Sequence, residues 1–168
     1  MLDPERPIAL VLPRDGDLPE VLRQFLRVGF TNFAGCLKGG MDAWVTAGLP
    51  VQGMAQLPVQ ELNQLLPSHD FQLLDVRTPH EWDKGHLPGA RYLVLGELPE
   101  RLRDLNRDKP VVVYCASGFR SSLAASMLQA SGFANVQNVP AGYTAWTAAD
   151  FQIVKPANTN RKASDTER

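Results

Sequence analysis

The chain has 168 residues, 44% of them apolar and 21% charged, with 17 Lys and Arg against 18 Asp and Glu for a formal net charge of −1. That composition fits a globular protein with one full core and part of a second. No basic run exceeds a pair and no apolar run reaches membrane-spanning length, so neither nucleic acid nor a membrane is an expected partner. Two cysteines, Cys36 and Cys115, are too few for a disulfide scaffold, and no signal-peptide pattern opens the chain, so a cytoplasmic location is expected.

Ile8 to Leu12 is a short continuous apolar run of the kind buried parallel strands show. After a Pro13–Asp17 turn, Leu18, Val21, Leu22, Phe25 and Leu26 fall at helical spacing, and Gly29 closes that helix. Phe33 to Leu37 reads as a strand and Gly40 to Trp44 opens a short helix. Gln52 to Leu57 reads as a linker. Pro58 to Leu66 is a short amphipathic helix between prolines, Phe71 to Val76 a strand, and Thr78-Pro79-His80-Glu81 a capping box opening a very short helix. Arg91 to Val94 is a third strand candidate, and Leu98, Leu102 and Leu105 mark a helix interrupted by Pro99. Val111 to Cys115 is the next strand, followed by a helix from about Phe119 to Ser131, a strand over Asn135 to Val139 and a closing helix over Gly142 to Ala149. From Lys155 to Arg168 the sequence is polar, and a disordered tail is expected. Strands alternating with helices imply a parallel sheet covered on both faces, with ligands at the carboxyl ends of the strands.

The order recurs. Pro7 to Leu12 lies over Pro110 to Cys115, Gly29 to Asn32 over Gly132 to Asn135, and, after a one-residue slip, Gly40 and Trp44 over Gly142 and Trp146. The first copy has Leu12 where the second has Cys115 and Asp17 where it has Arg120. It is therefore expected to be chemically silent.

Cys115 stands between a strand and a helix N-terminus, where unpaired N–H groups and the helix dipole favour an anion. The fixed charge of Arg120 adds to that, so a thiol more acidic than a free one is expected. Ala116, Ser117, Gly118, Phe119, Arg120 and Ser121 are the candidate binding loop, its N–H groups forming a cradle that Gly118 lets close. Asp75 and Arg77 are candidate supporting residues at a neighbouring strand end, with a structural ion pair, with one another or with Glu81, as the favoured role. His86 reads as a turn-stabilising partner, Trp44, Trp82 and Trp146 as packing residues, and Cys36 as a small buried hydrophobe. His69 and His80 read as loop residues, and the three scattered histidines give no metal-ligand spacing.

Leu73 to Arg77 (LLDVR), Glu81 to Ala90 (EWDKGHLPGA), the CASGFRS loop after VVVY, and Ala141 to Trp146 (AGYTAW) resemble, in order over about a hundred residues, the rhodanese homology domain. The resemblance implies a three-layer α/β fold with a central, mainly parallel sheet and helices on both faces. It assigns a complete domain to 58–154, a C-terminal half of an inactive one to 5–51, a linker to 52–57 and the tail to 155–168. It also implies sulfur transfer: Cys115 as catalytic thiolate takes sulfane sulfur from thiosulfate or a low-molecular-weight persulfide and yields it to a thiol or cyanide, with no metal or organic cofactor. Four residues between Cys115 and Arg120, rather than the five of tyrosine and dual-specificity phosphatases, point to sulfur over phosphate. The family often carries a second arginine directly after the cysteine, where this sequence has Ala116. Tandem domains of this kind occur fused behind a metallo-β-lactamase-like persulfide dioxygenase domain, so a fused upstream domain or a homodimer is an expected partner, and a sulfur-relay or regulatory module of such a protein is the alternative function. A half-domain this small is expected to be unstable alone and to dock elsewhere.

Overall fold

The structure is a computed structural model that describes Asp3 and residues 5–155. The expected disordered tail therefore lies outside the described residues, apart from Lys155. The chain divides into two compact units at Gly53 and Met54.

In the first unit, β1 (Ile8–Val11) pairs in parallel with β2 (Phe33–Leu37), joined through α1 (Leu18–Arg27) and followed by α2 (Gly40–Thr46). Ile8 pairs with Phe33 but Ala9 with Gly35, so Ala34 is an extra residue in β2. That bulge is the one-residue slip seen between the two copies. Among the described residues of this unit, only Leu10 and Gly40 are buried.

The second unit holds a five-stranded sheet in the order β3-β7-β6-β4-β5, all pairs parallel. Its strands are β3 (Ala55–Gln56), β4 (Gln72–Asp75), β5 (Arg91–Tyr92), β6 (Val111–Tyr114) and β7 (Val136–Asn138). The helices are α3 (Val59–Leu65), α4 (Pro79–Asp83), α5 (Leu98–Arg101, flanked by 3-10 turns), α6 (Phe119–Ala130) and α7 (Gly142–Ala148). Strand residues alternate between two cores, as a pleated strand requires. Leu74, Val111 and Val113 pack with Leu98, Ala124, Ala125 and Leu128 on one face. Leu73, Val112 and Tyr114 pack with Val59, Leu62 and Trp146 on the other. The three-layer α/β architecture is thus two apolar cores separated by one sheet.

The expectation of a linker over 52–57 is corrected. Ala55–Gln56 is an edge strand on β7, the Leu57 N–H donates to the Asn138 carbonyl at 2.9 Å, and Leu57 is buried. Two residues are too few to show an alternating pattern, and the partner strand lies some eighty positions on.

Candidate active site

β6 runs through the middle of the sheet with all four residues buried, and Cys115 follows directly at its carboxyl end. The side chain is itself screened from solvent. Its Sγ accepts the Gly118 N–H at 3.1 Å and lies 3.4 Å from Ser121 Oγ. The Ser121 hydroxyl also lies 3.1 Å from the Gly118 carbonyl oxygen, and its one proton goes to sulfur when the sulfur is anionic. Burial alone would raise the Cys115 pKa; the Ser121 hydroxyl, then the N–H groups of Ser121, Ser117 and Gly118, outweigh it and hold the thiol below its ordinary value.

The loop is shaped from behind by α7. The N–H groups of Tyr143 and Thr144 donate to the carbonyls of Cys115 and Ala116 at 2.8 and 3.0 Å. Turning those carbonyls away leaves the following N–H groups to face sulfur. Gly142 allows this approach: a Cβ there would lie 2.1 Å from the Cys115 carbonyl oxygen, and its φ is +40°. Gly118, at φ +97°, makes the inward curl expected of it.

Asp75 and Arg77 form the buried ion pair favoured from sequence. Arg77 Nη2 lies 2.6 Å from Asp75 Oδ2 and also donates to the Gly85 carbonyl, while the Tyr114 hydroxyl donates to Asp75 at 2.6 Å. Burial works against the Arg77 charge, but Asp75 raises its pKa above the ordinary arginine value. The guanidinium stacks 4.0 Å from the Tyr143 ring centre, so the pair reaches the loop through Tyr143, whose N–H holds Cys115, and through Tyr114, which directly precedes it.

Arg120 and the Cys115 thiolate favour each other's charged form, as expected from sequence, but Glu81 is the stronger partner of Arg120. Both of its terminal nitrogens donate to the Glu81 carboxylate, each at 2.7 Å, and the contributions that lower the Cys115 pKa most come from Ser121 and the backbone. From sequence Glu81 has a capping role, which it performs, accepting from Thr78 N and Oγ1 at 3.0 and 2.7 Å, and is an alternative ion-pair partner for the Asp75 and Arg77 group, whereas it pairs with Arg120. The Arg120 hydrogen bonds hold the Glu81 pKa down to about 2. Ala116 is half-buried, Ser117 exposed, and Phe119 stands 79% exposed at the loop tip.

His86 bonds through its backbone to Val154, and its ring lies flat on Trp82 with centres 3.5 Å apart, which suits a turn-stabilising role. Cys36 is half-buried with a weak 3.9 Å contact to the Leu37 carbonyl. Among the described residues no three His, Cys, Asp or Glu side chains cluster as metal ligands, and no helix is long and apolar enough to cross a membrane.

Residues 58–149 match the family model of the Rhodanese-like domain. A sulfurtransferase of Allochromatium vinosum is 35% identical over 102 residues, 60% of this chain and 95% of that protein. The Bacillus subtilis protein YrkF is 33% identical over 129 residues, 76% of this chain; the match spans about three-fifths (62%) of YrkF. The crystal structure of a rhodanese-related protein from Thermoplasma volcanium superposes with a TM-score of 0.55 at 29% identity, covering 60% of this chain and 97% of that one.

Proposed function

The chain belongs to the rhodanese-like domain family, and we propose that it moves sulfane sulfur from a small donor to a thiol or cyanide acceptor through a persulfide on Cys115. The observation that carries this is the Cys115 sulfur, held by an N–H group and a hydroxyl in a loop with four residues before Arg120. In the first step the Cys115 thiolate attacks the outer sulfur of the donor. The new S–S bond forms as the donor's own bond to that sulfur breaks, and sulfite or a thiolate leaves with the electron pair. In the second step an acceptor thiolate or cyanide attacks the outer sulfur of Cys115–S–S⁻, and the Cys115 thiolate departs. No net oxidation occurs. The terminal sulfur is an anion, and the donors that favour the thiolate favour it too.

Ala116 in place of a second arginine leaves one cation in the loop, which suits persulfide donors better than a dianion such as thiosulfate. Steady-state kinetics with thiosulfate and with a singly charged persulfide, 2-hydroxyethyl persulfide, test this. A higher kcat/KM for the persulfide is expected; much the higher value for thiosulfate would overturn it.

The first unit supports a second reading, a sulfur-relay or regulatory module in a larger assembly, with a fused upstream domain or a second copy as partner. An apolar groove of about 620 Å³ in this unit is lined by Ala9, Val11, Leu37, Met41, Trp44 and Val51, among others. The matching residues of the second unit, Val112, Tyr114, Val139, Tyr143, Trp146 and Ile153, lie in one core with Leu57, Val59, Leu62 and Leu87. Isolated protein that takes up sulfur yet delivers it to neither small thiols nor cyanide would favour this module over the free-standing enzyme.

A further inference from the structure

The loop from Cys115 to Ser122 contains one charged residue, Arg120. Its guanidinium is occupied on both terminal nitrogens by Glu81 at 2.7 Å, with both side chains about 30% exposed. Glu81 has little freedom to swing aside. Oε2 also accepts the Thr78 N–H and hydroxyl, so three donors converge on that one oxygen, and Pro79 fixes the turn between them. Around the reacting sulfur the charges are therefore a thiolate, one cation and one carboxylate, a sum of −1 rather than zero.

We propose that Glu81 is a specificity-determining residue: by neutralising Arg120 it turns the loop mouth against doubly charged inorganic sulfur donors and leaves singly charged organic persulfides as the favoured class. This rests on the sulfur-transfer reading of Cys115. Coulomb energy scales with the product of the charges, so a carboxylate at the mouth penalises a dianion by twice as much as a monoanion on a logarithmic scale. A residue that only braced the loop would alter both donors alike.

The test is kcat/KM for thiosulfate and for 2-hydroxyethyl persulfide, a single anion, in wild type, Glu81→Gln and Glu81→Asp. Glu81→Gln is expected to raise the thiosulfate value by about tenfold and the persulfide value by about threefold, the effect lying mainly in KM. Glu81→Asp, which keeps the charge, should keep the wild-type ratio. In wild type, added salt should raise the thiosulfate-to-persulfide ratio, since the pair is partly exposed to screening; that measurement stands even if Glu81→Gln folds poorly. An active wild type whose donor ratio responds neither to Glu81→Gln nor to salt would overturn this inference alone. A wild type that accepts sulfur from neither donor would overturn the reading beneath it as well.

Discussion

Leu12 and Cys115 stand at the same place in two copies of one supersecondary unit, and the backbone around them is handled alike. A Cβ on Gly40 would lie 2.3 Å from the Leu12 carbonyl oxygen, as one on Gly142 would lie 2.1 Å from that of Cys115. Trp44 Nε1 donates to Pro50 at 3.0 Å and Trp146 Nε1 to Gln152 at 2.9 Å. The Phe30 N–H reaches Phe25 as the Phe133 N–H reaches Leu128. What differs is the loop. Pro13 follows Leu12 and brings no N–H donor. Asp15, at the position of Gly118, puts its carboxylate on the Gly39 N–H at 2.9 Å, and Asp17, in place of Arg120, pairs with Arg14. The glycine contact and the tryptophan are therefore marks of the scaffold. The proposed chemistry is assigned to the eight loop residues, Cys115 to Ser122, and to what touches them.

Substitutions at the two glycines should separate scaffold from chemistry most sharply. Gly142→Ala drives a methyl into the backbone beneath Cys115 and should cut sulfur uptake by about a hundredfold, the scale of a 1 Å displacement of a reacting group. Gly40→Ala makes the same clash under Leu12 and should leave the single-turnover rate unchanged. Next in size, Asp75→Asn leaves Arg77 as an unpaired buried charge and should destabilise the second unit by about 3–5 kcal/mol in denaturant unfolding.

Ser121→Ala removes the largest influence holding the Cys115 pKa down. If the thiolate is the reacting form, the midpoint of the pH–rate profile should move up, with the loss in rate greatest on the acid side and vanishing at high pH. A uniform loss at all pH values would show that Ser121 only packs. Smaller again is the expected contrast in hydrogen exchange. β6 is bonded on both edges and β1, among the described residues, only to β2, so amides of Ile8–Val11 should exchange faster than those of Val111–Tyr114. Equal protection would mean that something covers β1.

The sequence made the repeat, the parallel α/β order and the Cys115 loop legible because each rests on local signals: an apolar strand, a glycine, a helix start. The Asp75–Arg77 pair was legible because only Val76 separates its members. The Glu81–Arg120 pair was not, since its members are 39 positions apart and the capping box already accounted for Glu81. Tyr114 likewise reads as one more strand hydrophobe, yet its hydroxyl is the donor that helps satisfy buried Asp75. The inner brace from Tyr143 to Cys115 is a backbone contact, which no side-chain pattern announces.

The central claim is that Cys115 alone carries sulfur, and intact-protein mass after exposure to a sulfane donor tests it most directly. Wild type should gain the mass of one sulfur atom, reversed by cyanide. Cys115→Ser should gain none, and Leu12→Cys added to that variant should not restore the gain, because the silent copy lacks the donors that make a thiolate. Sulfur retained by Cys115→Ser, or a Leu12→Cys thiol that takes up sulfur as readily as Cys115, would contradict the account.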